Sequence, residues 1–254
     1  MNCKYKLCTI RDNLEINKLR LKEMISHDVS NLLNSDVIKL SQNIDALLVK
    51  CMQCKTTRNI IDILDVNNVT GRHSMFFYYG KEHLLVCLIK YITQGIEKNE
   101  YCPVFIQPDW FESLLGYLSH INSPSRNIIH YTKNDVVESF LNGGSTAFRE
   151  KILEMEKWSE AEGFSGIRMI GQCSYGIQLS SKSIFLEAEK AASDCFNGTK
   201  VGALCLYDFY DYIHTSKYIE DDIVCESFKT HTNLYLQSSY KDYLIEVLKR
   251  KGQA

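Results

Sequence analysis

Ser41, Gln42 and Asp45 put a hydroxyl, an amide and a carboxylate within about one turn of a helix. Ser41 and Asp45 are four positions apart and Gln42 and Asp45 three, so in a helix all three share one surface. The apolar residues Val37, Leu40, Ile44, Leu47 and Cys51 recur at 3-4-3-4 spacing on a separate stripe, a seam for a second helix. That division predicts a greasy inner side and a wet face carrying the polar trio. An amide can orient water while a carboxylate holds it or pairs with a basic group. A helix with a greasy seam and such a cluster on its wet face can offer those polar groups to another protein. Ordinary solvated positions on a surface helix meet the same spacing.

The seam has a partner upstream. Ile10, Leu14, Leu21 and Met24 keep a matching register, with Asn17 in the remaining slot. Turn and capping types fill Ser26-His27-Asp28 and Asn31 to Ser35. Asn34 or Ser35 can cap the second helix, and Asp36 suits the positive end of its dipole. Residues 1–55 are therefore predicted to form an antiparallel helical hairpin.

Leu19-Arg20 and the run Val37-Ile38-Lys39-Leu40-Ser41-Gln42-Asn43-Ile44-Asp45-Ala46-Leu47-Leu48 resemble the stage-zero E-type sporulation aspartyl-phosphate phosphatases. Those are two-helix hairpins whose second helix carries Ser-Gln-Glu-Leu-Asp. The chain matches at Ser41, Gln42 and Asp45 and departs at Asn43 and Ile44, the first of which removes a charge beside the trio. The resemblance implies a phosphorylated response-regulator receiver as partner. Gln42 would orient water, with Asp45 and Ser41 in support. The magnesium would belong to the receiver, and the chain would need no cofactor of its own.

Composition sets wider limits. A chain of 254 residues, 45% hydrophobic and 24% charged, can bury a substantial core in one large or two unequal domains. A formal net charge of −2 argues against a nucleic-acid partner, and the tail Lys249-Arg250-Lys251 is too short to change that. No apolar run is long enough to span a bilayer, and Met1-Asn2-Cys3-Lys4 does not open a signal peptide, so the expected location is cytoplasmic. In a reducing compartment the ten cysteines are expected chiefly as small core residues. An antiparallel hairpin would, however, bring Cys51 and Cys54 near Cys3 and Cys8, a weak candidate for a four-thiolate zinc site.

A linker is expected over residues 56–71, after which the pattern changes. Apolar runs at Met75–Tyr78, Cys102–Ile106, Asn127–Tyr131, Gly166–Gln172 and Val201–Tyr207 read as strands, with Leu234–Leu236 a candidate last one. Helical patterns fall at Glu82–Ile96, Pro108–His120, Thr146–Glu162, Ser183–Phe196, Ile219–Phe228 and Tyr240–Lys251. The alternation predicts an α/β fold over 72–254, a mainly parallel sheet with helices on both faces. Ligands in such sheets bind beyond the carboxyl ends of the strands. The loop there, Tyr78-Tyr79-Gly80-Lys81-Glu82, has one glycine and no hydroxyl after its lysine, so it is not a P-loop.

This second segment resembles the MEDS domain, the sensory domain of dichloromethane-responsive regulators. The residues concerned are His73-Ser74 with Phe77-Tyr78, Gly163 to Gln172, Glu187 or Glu189, Leu204 to Asp208, and Thr230-His231. The family usually has Glu at the position of Gln172 and Pro at that of Thr232. The resemblance implies a RecA/KaiC-like sheet without its nucleotide motif, sensing small molecules. Candidate pocket residues are the polar or reactive groups at strand ends: His73, Tyr78, Arg168, Gln172, Cys205, Tyr207, Asp208 and His231. Each has a plain structural alternative, Arg168 as an ion-pair partner of Glu189 among them. No spacing supports a metal site across His73, Cys205 and His231.

Together these features predict a bacterial signalling protein in which a ligand-sensing domain biases a receiver-directed hairpin and so restrains sporulation. The alternative is a non-enzymatic sensor whose hairpin dimerises or sequesters a receiver. A second copy of the chain is a candidate partner; nucleic acid and membrane are not.

Overall fold

The computed structural model describes residues 9–26, 32, 34–55, 62–120, 125–131 and 135–236. The terminal helix expected at Tyr240–Lys251 lies outside them, as do Cys3, Cys8 and the side chain of Cys54, so the four-thiolate zinc site does too.

Two helices come first, α1 (Thr9–Ser26) and α2 (Ser35–Lys55), packed against each other. The Asn34 side chain accepts from the backbone N–H of Asp36 at 2.9 Å, so Asn34 is the cap. Leu14 and Leu21 of α1 meet Val37, Ile44 and Leu48 of α2 in one apolar cluster. Each fully buried aliphatic side chain contributes roughly 1.5–3 kcal/mol, and that seam holds the pair together.

A parallel sheet follows. Its strands are β1 (Asp62–Ile63), β2 (His73–Tyr78), β3 (Cys102–Phe105), β4 (Ile128–His130), β5 (Ile167–Gln172), β6 (Val201–Asp208) and β7 (Asn233–Leu234). They lie in the order β1-β7-β2-β6-β5-β3-β4, and every pairing is parallel. The central strands β2 and β6 are almost wholly buried, as strands covered on both faces must be. The helices are α3 (Lys81–Glu97), α4 (Pro108–His120), α5 (Asp135–Ala161), α6 (Cys173–Leu179), α7 (Lys182–Phe196), α8 (Phe209–His214) and α9 (Asp221–Thr230). The expected linker supplies the edge strand β1, and its Val69 carbonyl crosses β6 so closely that a Cβ at Gly202 would lie 2.1 Å from the oxygen. Only glycine fits there.

The hairpin is part of this core. α2 lies against α3 and reaches β2, and its apolar side chains share a cluster with Phe76, Tyr78 and Leu88. The face expected to be wet is buried: Ser41, Gln42 and Asp45 are 0%, 9% and 1% exposed. Two different sides of α2 are covered, one by α1 and one by α3. The second is hidden from a hydrophobicity count because polar groups meet polar groups. His83 of α3 accepts the Tyr79 N–H at Nδ1 (3.1 Å), which puts a proton on Nε2, and Nε2 stands 3.1 Å from Asp45 Oδ1. Ser41 Oγ lies 3.5 Å from Cys87 Sγ.

α1 covers the carboxyl end of β2. Glu15 accepts from the Tyr79 hydroxyl at 2.5 Å and lies 3.1 Å from His214 Nε2, while Arg11 donates to His214 Nδ1 at 2.7 Å. Lys18 sits 3.8 Å above the Tyr210 ring, and its stem packs on Gly80, whose φ of 86° suits a residue without a side chain. Lys81 extends to the exposed Asp109 at 3.8 Å, a surface ion pair. The crevice where a phosphate cradle would lie is thus filled by α1 and α8.

Candidate ligand and metal centre

Parallel register brings the reactive groups together. His73 opens β2 and pairs with Ala203; Met75 pairs with Cys205. Because paired residues face the same side, and side chains alternate along a strand, His73, Cys205 and Tyr207 share the sheet face that α7 covers. α7 buries Phe185, Ala188, Glu189, Ala192 and Phe196 at three- and four-residue steps, so Glu189 is an acid on an apolar stripe. His231 follows α9 directly and precedes β7, which sets its ring against that of His73 at a centroid distance of 3.8 Å.

Four groups converge. His73 Nε2 lies 3.3 Å from Cys205 Sγ and 3.6 Å from Glu189 Oε2; His231 Nε2 lies 3.4 Å from the same oxygen. Cys205 Sγ is 3.5 Å from Glu189 Oε1, and the Tyr207 hydroxyl donates to Oε2 at 3.2 Å. Behind the rings, His73 Nδ1 is 3.2 Å from Thr230 O and 3.1 Å from Ser193 Oγ, and His231 Nδ1 is 2.9 Å from Ser227 O. Burial opposes charge on every member. It lowers His73 to about 4, takes His231 well below its ordinary value with help from His73, and pushes Glu189 up to about 7. The Cys205 thiol is raised by its hydrogen bond with Cys173 and then by burial.

A cavity of about 110 Å³ adjoins the cluster. Phe105, Phe148, Met169, Phe185, Ala192 and Phe196 are among its apolar walls, and His73, Glu189, Cys205 and Gln172 are its polar lining. An apolar cavity of about 150 Å³ holds benzene, so this one suits a molecule of a few heavy atoms.

The other expected pocket residues, Gln172 excepted, lie elsewhere. Gln172 reaches the cavity, but its side chain donates to the Tyr78 hydroxyl at 2.9 Å and accepts the Gln107 N–H at 3.0 Å, bracing the β3–α4 connection. Asp208 caps α8 by accepting from the N–H groups of Tyr210 and Asp211. Arg168 does not pair with Glu189. It is fully buried beside α3, 2.7 Å from Glu100 Oε2, because alternation along β5 aims it at the opposite face of the sheet. Ser41, Gln42 and Asp45 lie apart from the cluster on α2, with Ser41 and Asp45 at its contact with α3. Sequence reasoning did not place Glu189 in the site, although an acid amid the apolar stripe of α7 was the signal available.

A model of the MEDS family, described as the methanogen/methylotroph, DcmR sensory domain, matches residues 72–232. No curated protein matches the chain. The match begins after the hairpin and gives the sporulation-phosphatase resemblance no support. No described helix is long and apolar enough to cross a membrane. The family model covers five of the seven described strands, the cavity and all four converging side chains, more than half of the sequence, and the chain therefore belongs to the MEDS family of sensory domains.

Proposed function

We propose that this protein detects a small, mostly apolar molecule in the cavity between the sheet and α7, and that the hairpin carries the signal outward. The observation behind this reading is the cavity itself: aromatic and aliphatic walls with one polar corner formed by His73, Glu189 and Cys205. Small-molecule sites have that character, an apolar lining with a few fixed polar groups that choose the ligand. One-carbon and halogenated one-carbon compounds are the class that the family's description and the cavity's size favour.

For the hairpin, a binding role is favoured over catalysis. A receiver phosphatase needs Gln42 and Asp45 on the outside, and here both are buried, Asp45 against His83 of α3. α1 instead exposes Ile16 and Leu19, 52% and 57% accessible, apolar groups that suit a receiver or a second copy of the chain. Dephosphorylation of a sporulation-type receiver, using the receiver's magnesium, would require α2 to leave α3.

Dichloromethane serves as the probe. Wild-type protein should gain several degrees of thermal stability, saturably, since a ligand at a hundred times its Kd adds about 2.7 kcal/mol. Ala192→Leu, which fills the cavity, should keep the fold and lose the response. An equal shift in the folded variant, or none in wild type, would refute the assignment for this ligand class.

A further inference from the structure

We propose that His73, Glu189, Cys205 and His231 bind one divalent transition metal ion of the zinc type, which ties α7 and the α9–β7 connection to the sheet. The proposal deepens the sensory reading by naming what stands at the polar corner of the cavity. It rests on that reading for its role but not for its geometry.

Counting protons carries the argument. A ring nitrogen that faces a carbonyl oxygen must be the donor, because the carbonyl can only accept. His73 faces Thr230 O and His231 faces Ser227 O, both through Nδ1. Each ring therefore bears its proton there and turns a bare Nε2 lone pair into the cluster. This backbone-anchored tautomer is the arrangement that presents Nε2 to metals. Within the cluster the Cys205 thiol and the Tyr207 hydroxyl both have acceptors on Glu189. His231 Nε2 is left with no hydrogen-bond partner, in a residue only 4% exposed. A buried lone pair aimed at a carboxylate costs free energy unless a cation or a proton lies between them.

The spacing fits a metal. With zinc bonds of about 2.0–2.3 Å, a tetrahedron has edges of roughly 3.3–3.7 Å. The observed separations are 3.3 Å from His73 to Cys205, 3.6 Å and 3.4 Å from the two rings to Glu189 Oε2, and 3.5 Å from Cys205 to the other carboxylate oxygen, Oε1. One ligand atom from each residue falls within 4.8 Å of all the others. A thiolate, a carboxylate and two neutral imidazoles around a divalent ion sum to zero charge, which suits a site closed off from water. Imidazole with thiolate selects zinc, iron or cobalt over magnesium or calcium.

A second group, Asp45, His83 and Cys87, meets the same distance criterion and makes an internal control. There the tautomer is reversed. His83 Nδ1 accepts the Tyr79 N–H, so its Nε2 carries the proton and offers no lone pair.

The full chain, stripped with chelator and given one equivalent of zinc, should yield an X-ray absorption spectrum of one sulfur and three nitrogen or oxygen neighbours. With cobalt(II) it should show tetrahedral visible bands and a thiolate charge-transfer band. Cys205→Ser should abolish that band, and Cys87→Ser should retain it. No tight binding, no sulfur neighbour, two or more sulfurs, or a band that survives in folded Cys205→Ser would each overturn the proposal. The absorption spectrum needs no variant, so a misfolded substitution does not protect the idea. Dichloromethane binding by metal-free protein would leave the sensory reading standing while the metal site fails.

Discussion

Arg168→Ala is expected to cost about 3–5 kcal/mol, the usual range for stripping one partner from a buried ion pair. The guanidinium is fully buried and links three places in the chain. It donates to Glu100 Oε2 at 2.7 Å, to Tyr91 O on α3 at 2.9 Å and to Val66 O in the segment leading to β2 at 3.1 Å. It also lies 4.6 Å from the centre of the Tyr91 ring. Alanine would leave a mostly buried carboxylate and two carbonyls without these donors. Lysine should restore little, because one ammonium cannot reproduce the planar fork. Urea unfolding followed by circular dichroism measures the effect. A loss below about 1 kcal/mol would mean that the pair behaves as a surface bridge does, and the account of Arg168 would be wrong.

Asp45→Ala is expected to loosen the hairpin at a cost of about 2–3 kcal/mol, since it removes the buried carboxylate that stands 3.1 Å from His83 Nε2 on α3. Asp45→Asn keeps an acceptor oxygen and should lose less. Amide hydrogen exchange distinguishes this from global weakening: α1 and α2 should lose protection while β2 and β6 keep theirs. An active-site carboxylate on an open face would give a different outcome, with activity lost and protection of α1 and α2 unchanged. Unchanged protection in Asp45→Ala would therefore return the trio to the surface.

The strands and most helices were legible because apolar runs bounded by polar turns carry them. Val201–Asp208 and Cys102–Phe105 lie within a residue of expectation. Thr146, where a helix was expected to begin, follows the break at Gly143–Gly144, both non-helical; the helical stretch ahead of the break was not expected. α6 and α8 were missed because they start directly at strand ends and are seven and six residues long. Three of the four converging residues were singled out from the sequence, but not their meeting. His73 and Cys205 are 132 positions apart, and only the pairing of β2 with β6 makes them neighbours. The burial of Ser41, Gln42 and Asp45 was illegible for a different reason. Helix amphipathicity reads apolar stripes, and a polar face packed against a histidine on a third helix leaves no such mark.

The most direct test of the sensing cavity is the methyl spectrum of methionine-labelled protein during a dichloromethane titration. Met169 lines the cavity, whereas Met52 belongs to the hairpin core. The account predicts a saturable shift of the Met169 methyl in wild type that is absent in Ala192→Leu. Saturable binding that leaves Met169 unmoved, or a Met169 shift that persists in the folded, cavity-filled variant, would contradict it.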